Sequence, residues 1–337
     1  MTVPNTMRAL VYTGPNTMQL RDEPCPVPGA DDVLVRVRAV GICGSDMHAY
    51  HGYDSRRPAP LILGHEAAGE IVGGARDGER VTINPLVVDP DCPSNKAGRP
   101  HLSPTRQIIS MPPRPGAFAA YVTIPGRNVL RVPDTLPLDH AALTEPLAVS
   151  WHAVRIGLEK LAQREGARVL VLGGGAIGLA AALVAQHMGA SQVHVAETNA
   201  ARRALAERQG SHISAYDPQA TPNIAAGCDL VIDAVGARAT RAAASALVRP
   251  GGVIVHVGLL PGEEGLDIRR ITLQEITITG SYCYTPDDFS DTLAALAAGA
   301  FGRLDWFESR SLEDGVDAFR DLDRGGVAAA KIVLVPQ

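Results

Sequence analysis

The side chains best suited to chemistry lie between positions 41 and 69, in the stretch GICGSDMHAYHGYDSRRPAPLILGHEAAG. Cys43, His65 and Glu66 offer a thiol, an imidazole and a carboxylate. All three bind zinc, and a catalytic zinc keeps one tetrahedral corner open for water or substrate. Ser45, Asp46 and His48 follow the cysteine closely. They add a hydroxyl, an acid and a second imidazole, enough for a proton path and for outer partners to the ligands. Singly, each residue has a plainer reading: Cys43 as a small buried hydrophobe, His65 as a satisfied core histidine. Together they favour a metal centre.

A second stretch, RVLVLGGGAIG at 168–178, places Gly173, Gly175 and Gly178 in a GxGxxG pattern between an apolar strand and helical text. Gly173 permits the tight turn, Gly175 lets the backbone approach a pyrophosphate, and Gly178 allows close helix–strand packing. Ala176 and Ile177 lie at the helix N-terminus, which attracts the phosphates. The next strand-like run, 192–196, ends in Glu197, about 20 residues beyond the last glycine, where an acid accepts from the ribose hydroxyls of NAD and repels a 2′-phosphate. Arg202 and Arg203 could soften that preference; NAD over NADP is the expectation.

Size and composition agree with an enzyme. A chain of 337 residues suggests two domains, each with its own core. Hydrophobic residues make up 46% and charged residues 20%, ordinary for a soluble protein. The net charge of −5 and the lack of a basic tail or stripe argue against nucleic acid as a partner. Cys25, Cys43, Cys92, Cys228 and Cys283 are scattered and odd in number, which fits a reducing cytoplasm better than a disulfide framework. The N-terminal text has no signal pattern. The apolar run 169–185 contains four glycines and divides into a strand and a helix, so a membrane span is not expected.

These residues need elements to hold them. Positions 33–38 alternate in the period of a half-buried strand, and 70–72, 80–83, 119–124 and 129–132 read similarly. Short strands with frequent turns imply a β-rich, barrel-like domain with the 41–69 residues on its loops. Residues 136–158 read as a helix interrupted near Pro146 and mark the crossing to a second domain. There, strand-like runs at 229–233, 253–257 and 275–280 alternate with helical text, as in a doubly wound parallel sheet. Val257 ends one run at the carboxyl edge, where such sheets bind ligands. From 281 the chain is expected to return through two helices, at 285–299 and 311–325, and a closing strand at 331–335. The one stretch that reads as disordered is 88–110.

GICGSD followed by GHEAAGEIVG resembles the zinc-containing medium-chain alcohol dehydrogenases, nearest in character to the sorbitol- and idonate-type polyol dehydrogenases, and the resemblance runs from about Met7 to the C-terminus. It implies an α/β protein: a GroES-like catalytic domain (1–145, completed by 285–337) and a Rossmann NAD-binding domain (146–284). It also implies zinc-dependent, NAD-linked oxidation of a secondary alcohol in a polyol, sugar or sugar acid, with Ser45 and His48 relaying the proton. Glu145, in the EPL segment, is implied to lie beside the metal, sharing or replacing the part of Glu66. Tyr50, Phe118 and Tyr284 are candidate pocket walls. Cys283 stands where sorbitol-type enzymes commonly carry an arginine, so a less polar alcohol or ketone stays open. Many relatives hold a structural zinc on four cysteines; the matching positions here are Asp89, Cys92, Asn95 and Ser103, and no structural zinc is expected. Relatives are usually dimers or tetramers, which implies a homo-oligomer. A zinc-free quinone-reductase-like enzyme and a non-catalytic NAD-binding protein are the alternatives; the intact Cys43, His65, Glu66 set and the Ser45–His48 pair argue against both.

Overall fold

The computed structural model describes residues 3–221 and 225–337; residues 1–2 of the N-terminal stretch and 222–224 lie outside the described residues. The chain divides into two compact units. The first comprises the described residues of Met1–Glu145, with Thr285–Ala297 and Phe307–Gln337; the second those of Pro146–Tyr284, with Ala298–Trp306.

The first unit is built on a seven-stranded sheet. Its central strand, Asp32–Gly41, pairs antiparallel with Glu66–Val72 and with Tyr121–Pro125. Lys331–Val335 joins it at Gly41, so the last strand of the chain lies beside the loop that leads to Cys43. Alternating side chains send Val35, Val37 and Val40 into a core with Ile71, Ile83, Phe118, Ile332 and Leu334, all nearly inaccessible. Thr6–Gly14, Thr17–Pro24 and Leu61–Ile62 form a separate three-stranded sheet. Sequence reading missed all three of these, along with Phe307–Ser311 and, in the second unit, Ile213–Tyr216.

The second unit holds six strands in parallel register, in the order Ile213–Tyr216, Gln192–Ala196, Arg168–Leu172, Cys228–Asp233, Val248–His256, Thr277–Gly280. In chain order this is 3-2-1-4-5-6, the dinucleotide-binding arrangement, whose crevice lies at the carboxyl ends where the order reverses. The run 169–185 resolves into the Arg168–Leu172 strand and the Ala176–His187 helix. Among the described residues no helix is long and apolar enough to cross a membrane.

Three expectations need correction. The helical break falls at 142–143, between Leu138–Ala141 and Thr144–Leu158; Pro146 sits in the first turn of the second helix, where its missing N–H costs nothing. Residues 298–306 belong with the second unit: Phe301 meets Trp151 and His187 edge-on, and Gln209 donates to Asp305 at 2.6 Å. Finally, the stretch 88–110 is structured. Pro93–Lys96 and Pro100–Leu102 form short helical turns, Gln107–Ile108 pairs with Leu86–Val87, and His101, Ser103 and Ser110 are buried. Its polar, proline-rich composition disguises turns held by side-chain hydrogen bonds.

Candidate active site

Cys43 and Glu66 are brought together by the first unit's sheet. The central strand ends at Gly41, directly opposite Glu66 in register, and Cys43 follows two residues later as N-cap of the Gly44–Tyr50 helix. A Cβ on Gly41 would run into Glu66 Oε2, so the absent side chain makes the space that oxygen occupies. His65 directly precedes Glu66, after Gly64 at φ 91°, where a Cβ would come within 2.6 Å of the Phe118 ring. The ligand atoms of Cys43, His65 and Glu66 all lie within 4.8 Å of one another, the one such His/Cys/acid group among the described residues.

Asp46 fixes the two loops. It is fully buried; Oδ2 accepts the Cys43 N–H (3.0 Å), Oδ1 accepts the Gly64 N–H (3.3 Å) and lies 3.5 Å from His65 Nδ1. Burial works against its charge, but His65, Arg57 and the Cys43 N–H outweigh burial and hold its pKa below the usual carboxylate value. Burial likewise disfavours a charged His65, and Asp46 and Cys43 overcome it, raising the imidazole well above the ordinary histidine value.

Glu66 is fully buried. Its Oε1 accepts from Lys331 Nζ at 2.7 Å, while its Oε2 has no protein partner. A buried carboxylate oxygen left alone is costly, and here it stands beside a thiol and an imidazole. That donor set suits zinc. Lys331 is itself buried; burial lowers its pKa, but Glu66, Cys43 and Glu145 together raise it above the ordinary lysine value. Glu145 is buried in the Thr144–Leu158 helix, close enough to act on Lys331, but lies outside the three-residue cluster.

Ser45 and His48 are half-buried and three residues apart on one helix, hence on neighbouring positions of one face. Three residues that the sequence did not single out support the site. Arg57, almost fully buried, donates Nε to the Ser110 carbonyl (3.1 Å) and brings Nη2 to 3.5 Å from Ser45 Oγ. Ser110 and Lys331 are the other two. Only Lys331 left a trace, as a charge heading the apolar run KIVLV.

The aromatic residues expected as pocket walls are all packed inward. Tyr50 is 4% exposed with its ring 5.4 Å from Phe319, and Phe118 is 0% exposed, edge-on to the same ring. Both are core residues, drawn in by their apolar area. Tyr284 is also buried, at 1%. At the positions matching a structural-zinc lobe, the polar groups have other partners. Cys92 Sγ accepts the Asn95 N–H (3.3 Å), Asp89 accepts from the Asp91 N–H, and Ser103 Oγ lies 3.2 Å from Thr105 Oγ1.

In the second unit Gly173 has φ 99°, and a Cβ on Gly178 would strike the Gly173 carbonyl, so both positions require glycine. Gly175 is the N-cap of the helix that Ala176 and Ile177 open. Glu197 reaches this loop from the next strand: Oε2 accepts the Gly174 N–H at 2.8 Å and Oε1 the Asn199 N–H at 2.7 Å. Arg203 is committed to the carbonyls of Glu197 and Thr198. Arg202 is half-buried on the following helix, and Val257 follows the fifth strand with its N–H on the Asp233 carbonyl.

Comparison with known proteins agrees with this division. The alcohol dehydrogenase GroES-like domain matches residues 29–134, and the zinc-binding dehydrogenase domain matches 176–298. The chain is 36% identical to L-galactonate-5-dehydrogenase of Escherichia coli and 35% identical to sorbitol dehydrogenase of Bacillus subtilis, each alignment covering 88% of both chains. A zinc-binding dehydrogenase of Sinorhizobium meliloti, solved with NADP, superposes with a TM-score of 0.89 at 30% identity over 99% of this chain and 100% of its own. A GroES-like unit that gathers a thiol, an imidazole and a carboxylate, joined to a Rossmann unit and matched over nearly its whole length, places this chain in the zinc-binding, medium-chain alcohol dehydrogenase family near the polyol dehydrogenases, as an enzyme of zinc-dependent secondary-alcohol oxidation.

Proposed function

We propose that the protein oxidises a secondary hydroxyl of a polyol, sugar or sugar acid to a ketone, with NAD as coenzyme and one zinc held by Cys43, His65 and Glu66. The observation that carries this reading is Glu66 Oε2, a buried oxygen without a protein partner in a cluster of zinc-ligand types. When bound, zinc supplies Lewis acidity toward the substrate oxygen and NAD supplies a two-electron acceptor. The chain's residues do the rest. Asp46 holds the Cys43 and His65 loops in place, and Ser45 and His48 carry the hydroxyl proton toward solvent. Glu66 rather than Glu145 is the carboxylate ligand, because Glu145 stands outside the cluster.

Gly173, Gly175, Ala176, Ile177 and Gly178 receive the pyrophosphate, with Val257 at the same carboxyl edge. Glu197 favours NAD: its carboxylate sits against the glycine loop, where a 2′-phosphate would meet a negative charge. Arg203 is occupied by carbonyls, and Arg202 alone is left to favour NADP. The commitments of Cys92, Asn95, Asp89 and Ser103 support a lobe without structural zinc. Leu259, Leu260, Ile268 and Leu273 are exposed on the second unit and support a homo-oligomer. The five cysteines, none in a disulfide, suit the cytoplasm.

The L-galactonate and sorbitol relatives support a hydroxyl-rich substrate. Cys283, in place of a guanidinium, favours a second reading, in which the substrate is a less polar secondary alcohol or ketone. Metal analysis should find one zinc per chain, and two would refute the lobe assignment. A panel of polyols, aldonates and simple secondary alcohols, followed by NADH absorbance, separates the two substrate readings.

A further inference from the structure

The geometry points to Lys331 as a positioning residue of the metal centre: it grips Glu66 by one oxygen, leaves the other as the single free donor, and ties that carboxylate to the backbone carrying Cys43. This rests on the zinc assignment above. Lys331 Nζ donates to Glu66 Oε1 at 2.7 Å and to the Ile42 carbonyl at 2.9 Å. Ile42 directly precedes Cys43, so one ammonium contacts the carboxylate of one proposed ligand and the chain of another, 265 residues away from Glu66 in sequence.

The contact is built by the sheet. Val333 lies opposite Gly41, and the Ile42 N–H donates to the Ile332 carbonyl; the strand therefore delivers its first side chain to the loop that Gly41 begins. Lys331 is 3% exposed and Glu66 0%. A buried ion pair is seldom the most stabilising choice, since well-packed apolar residues often do as well. Here the pairing is also lopsided, with Oε1 satisfied by Lys331 and Oε2 left bare. An ammonium is a point donor and can hold one oxygen; a guanidinium fork would tend to take both.

The test uses the full-length protein with zinc, and with cobalt(II) as a spectroscopic replacement. Lys331→Met keeps the apolar stem and removes the ammonium. Lys331→Arg keeps the charge but offers a fork. Folded Lys331→Met is expected to lose zinc to a chelator at about tenfold lower chelator concentration than the parent, as when an outer partner of a ligand is removed, with shifted cobalt(II) absorption bands. Lys331→Arg is expected to shift the same bands while melting near the parent temperature, and it carries the test if Lys331→Met does not fold. A purely structural ion pair would move melting temperature and leave the cobalt spectrum and zinc retention of both variants at parental values; that result overturns the inference. Parent protein that binds no zinc would instead overturn the metal assignment on which the inference depends.

Discussion

Ser110 Oγ lies 3.4 Å from His65 Nδ1, across 45 residues of sequence, and Ser110 reaches it from the left-handed backbone region at φ 74°. A non-glycine residue there is strained, and such strain persists only where the surroundings enforce it. Arg57 enforces it by donating to the Ser110 carbonyl while approaching Ser45. The segment that composition marks as loosest thus ends as an outer partner of a proposed zinc ligand. Ser110→Ala should reduce zinc affinity about tenfold, the usual scale for losing such a partner. Ser110→Gly should lose zinc equally but relieve the backbone, leaving it more stable than Ser110→Ala by about 1 kcal/mol. Zinc retention after chelator dialysis and thermal melts check both; parental zinc retention in the two variants would sink the assignment.

Cys43 supplies the only sulfur in the cluster. Cys43→Ser should lower kcat roughly 10³-fold, because Lewis-acid catalysis contributes several kcal/mol to transition-state stabilisation. NAD binding should stay within about twofold of the parent, since the proposed coenzyme contacts, 173–178 and Glu197, belong to the Rossmann unit and Cys43 is not among them. Steady-state kinetics and coenzyme titration separate the two quantities. Equal loss of both would mean that Cys43 supports the fold instead.

Much of this was readable in the residues themselves. The GxGxxG turn, Glu197 and the alternation of apolar runs specify the second unit, because each is a local signal with a local cause. Cys43, His65 and Glu66 were legible as ligand types. What sequence could not show was contact across distance. Lys331 meets Glu66 only because the last strand pairs beside Gly41. Arg57 and Ser110 meet because two irregular loops pack together, and irregular loops have no period. Tyr50 and Phe118 show a related limit: aromatic residues near a motif read equally as wall or core, and in the fold both pack against Phe319.

Glu197 accepts the Gly174 N–H, so the acid that would read the ribose also braces the phosphate loop. Glu197→Gln keeps size and some hydrogen bonding but removes the charge. Because hydrogen bonds to a charged group contribute about 1.5–3 kcal/mol, kcat/KM with NAD should fall about 10- to 100-fold. With NADP it should rise or hold, since the repulsion of the 2′-phosphate is gone and Arg202 remains nearby in the chain. Kinetics with both coenzymes check this. An unchanged NAD-to-NADP ratio would remove Glu197 from coenzyme selection.

Asp233 ends the fourth strand of the Rossmann sheet, fully buried. Burial raises its pKa, but His256, the Gly236 and Val235 N–H groups and the Thr240 hydroxyl outweigh burial and lower it below the ordinary carboxylate value. His256 Nδ1 is 3.2 Å away, and the Gly236 N–H donates at 2.8 Å. A carboxyl more acidic when folded than unfolded stabilises the fold above its unfolded pKa. That contribution is lost as pH falls through the lower, folded value. Asp233→Asn should therefore cost about 1–3 kcal/mol near neutral pH, where a charged acceptor is replaced by a neutral one. Below the folded pKa, with Asp233 protonated in both states, the parent and variant should converge. Urea melts from neutral pH down to the acid limit of the native state measure the difference. A gap between the two proteins that stays constant with pH would show that packing, and not the charge on Asp233, holds this edge of the sheet.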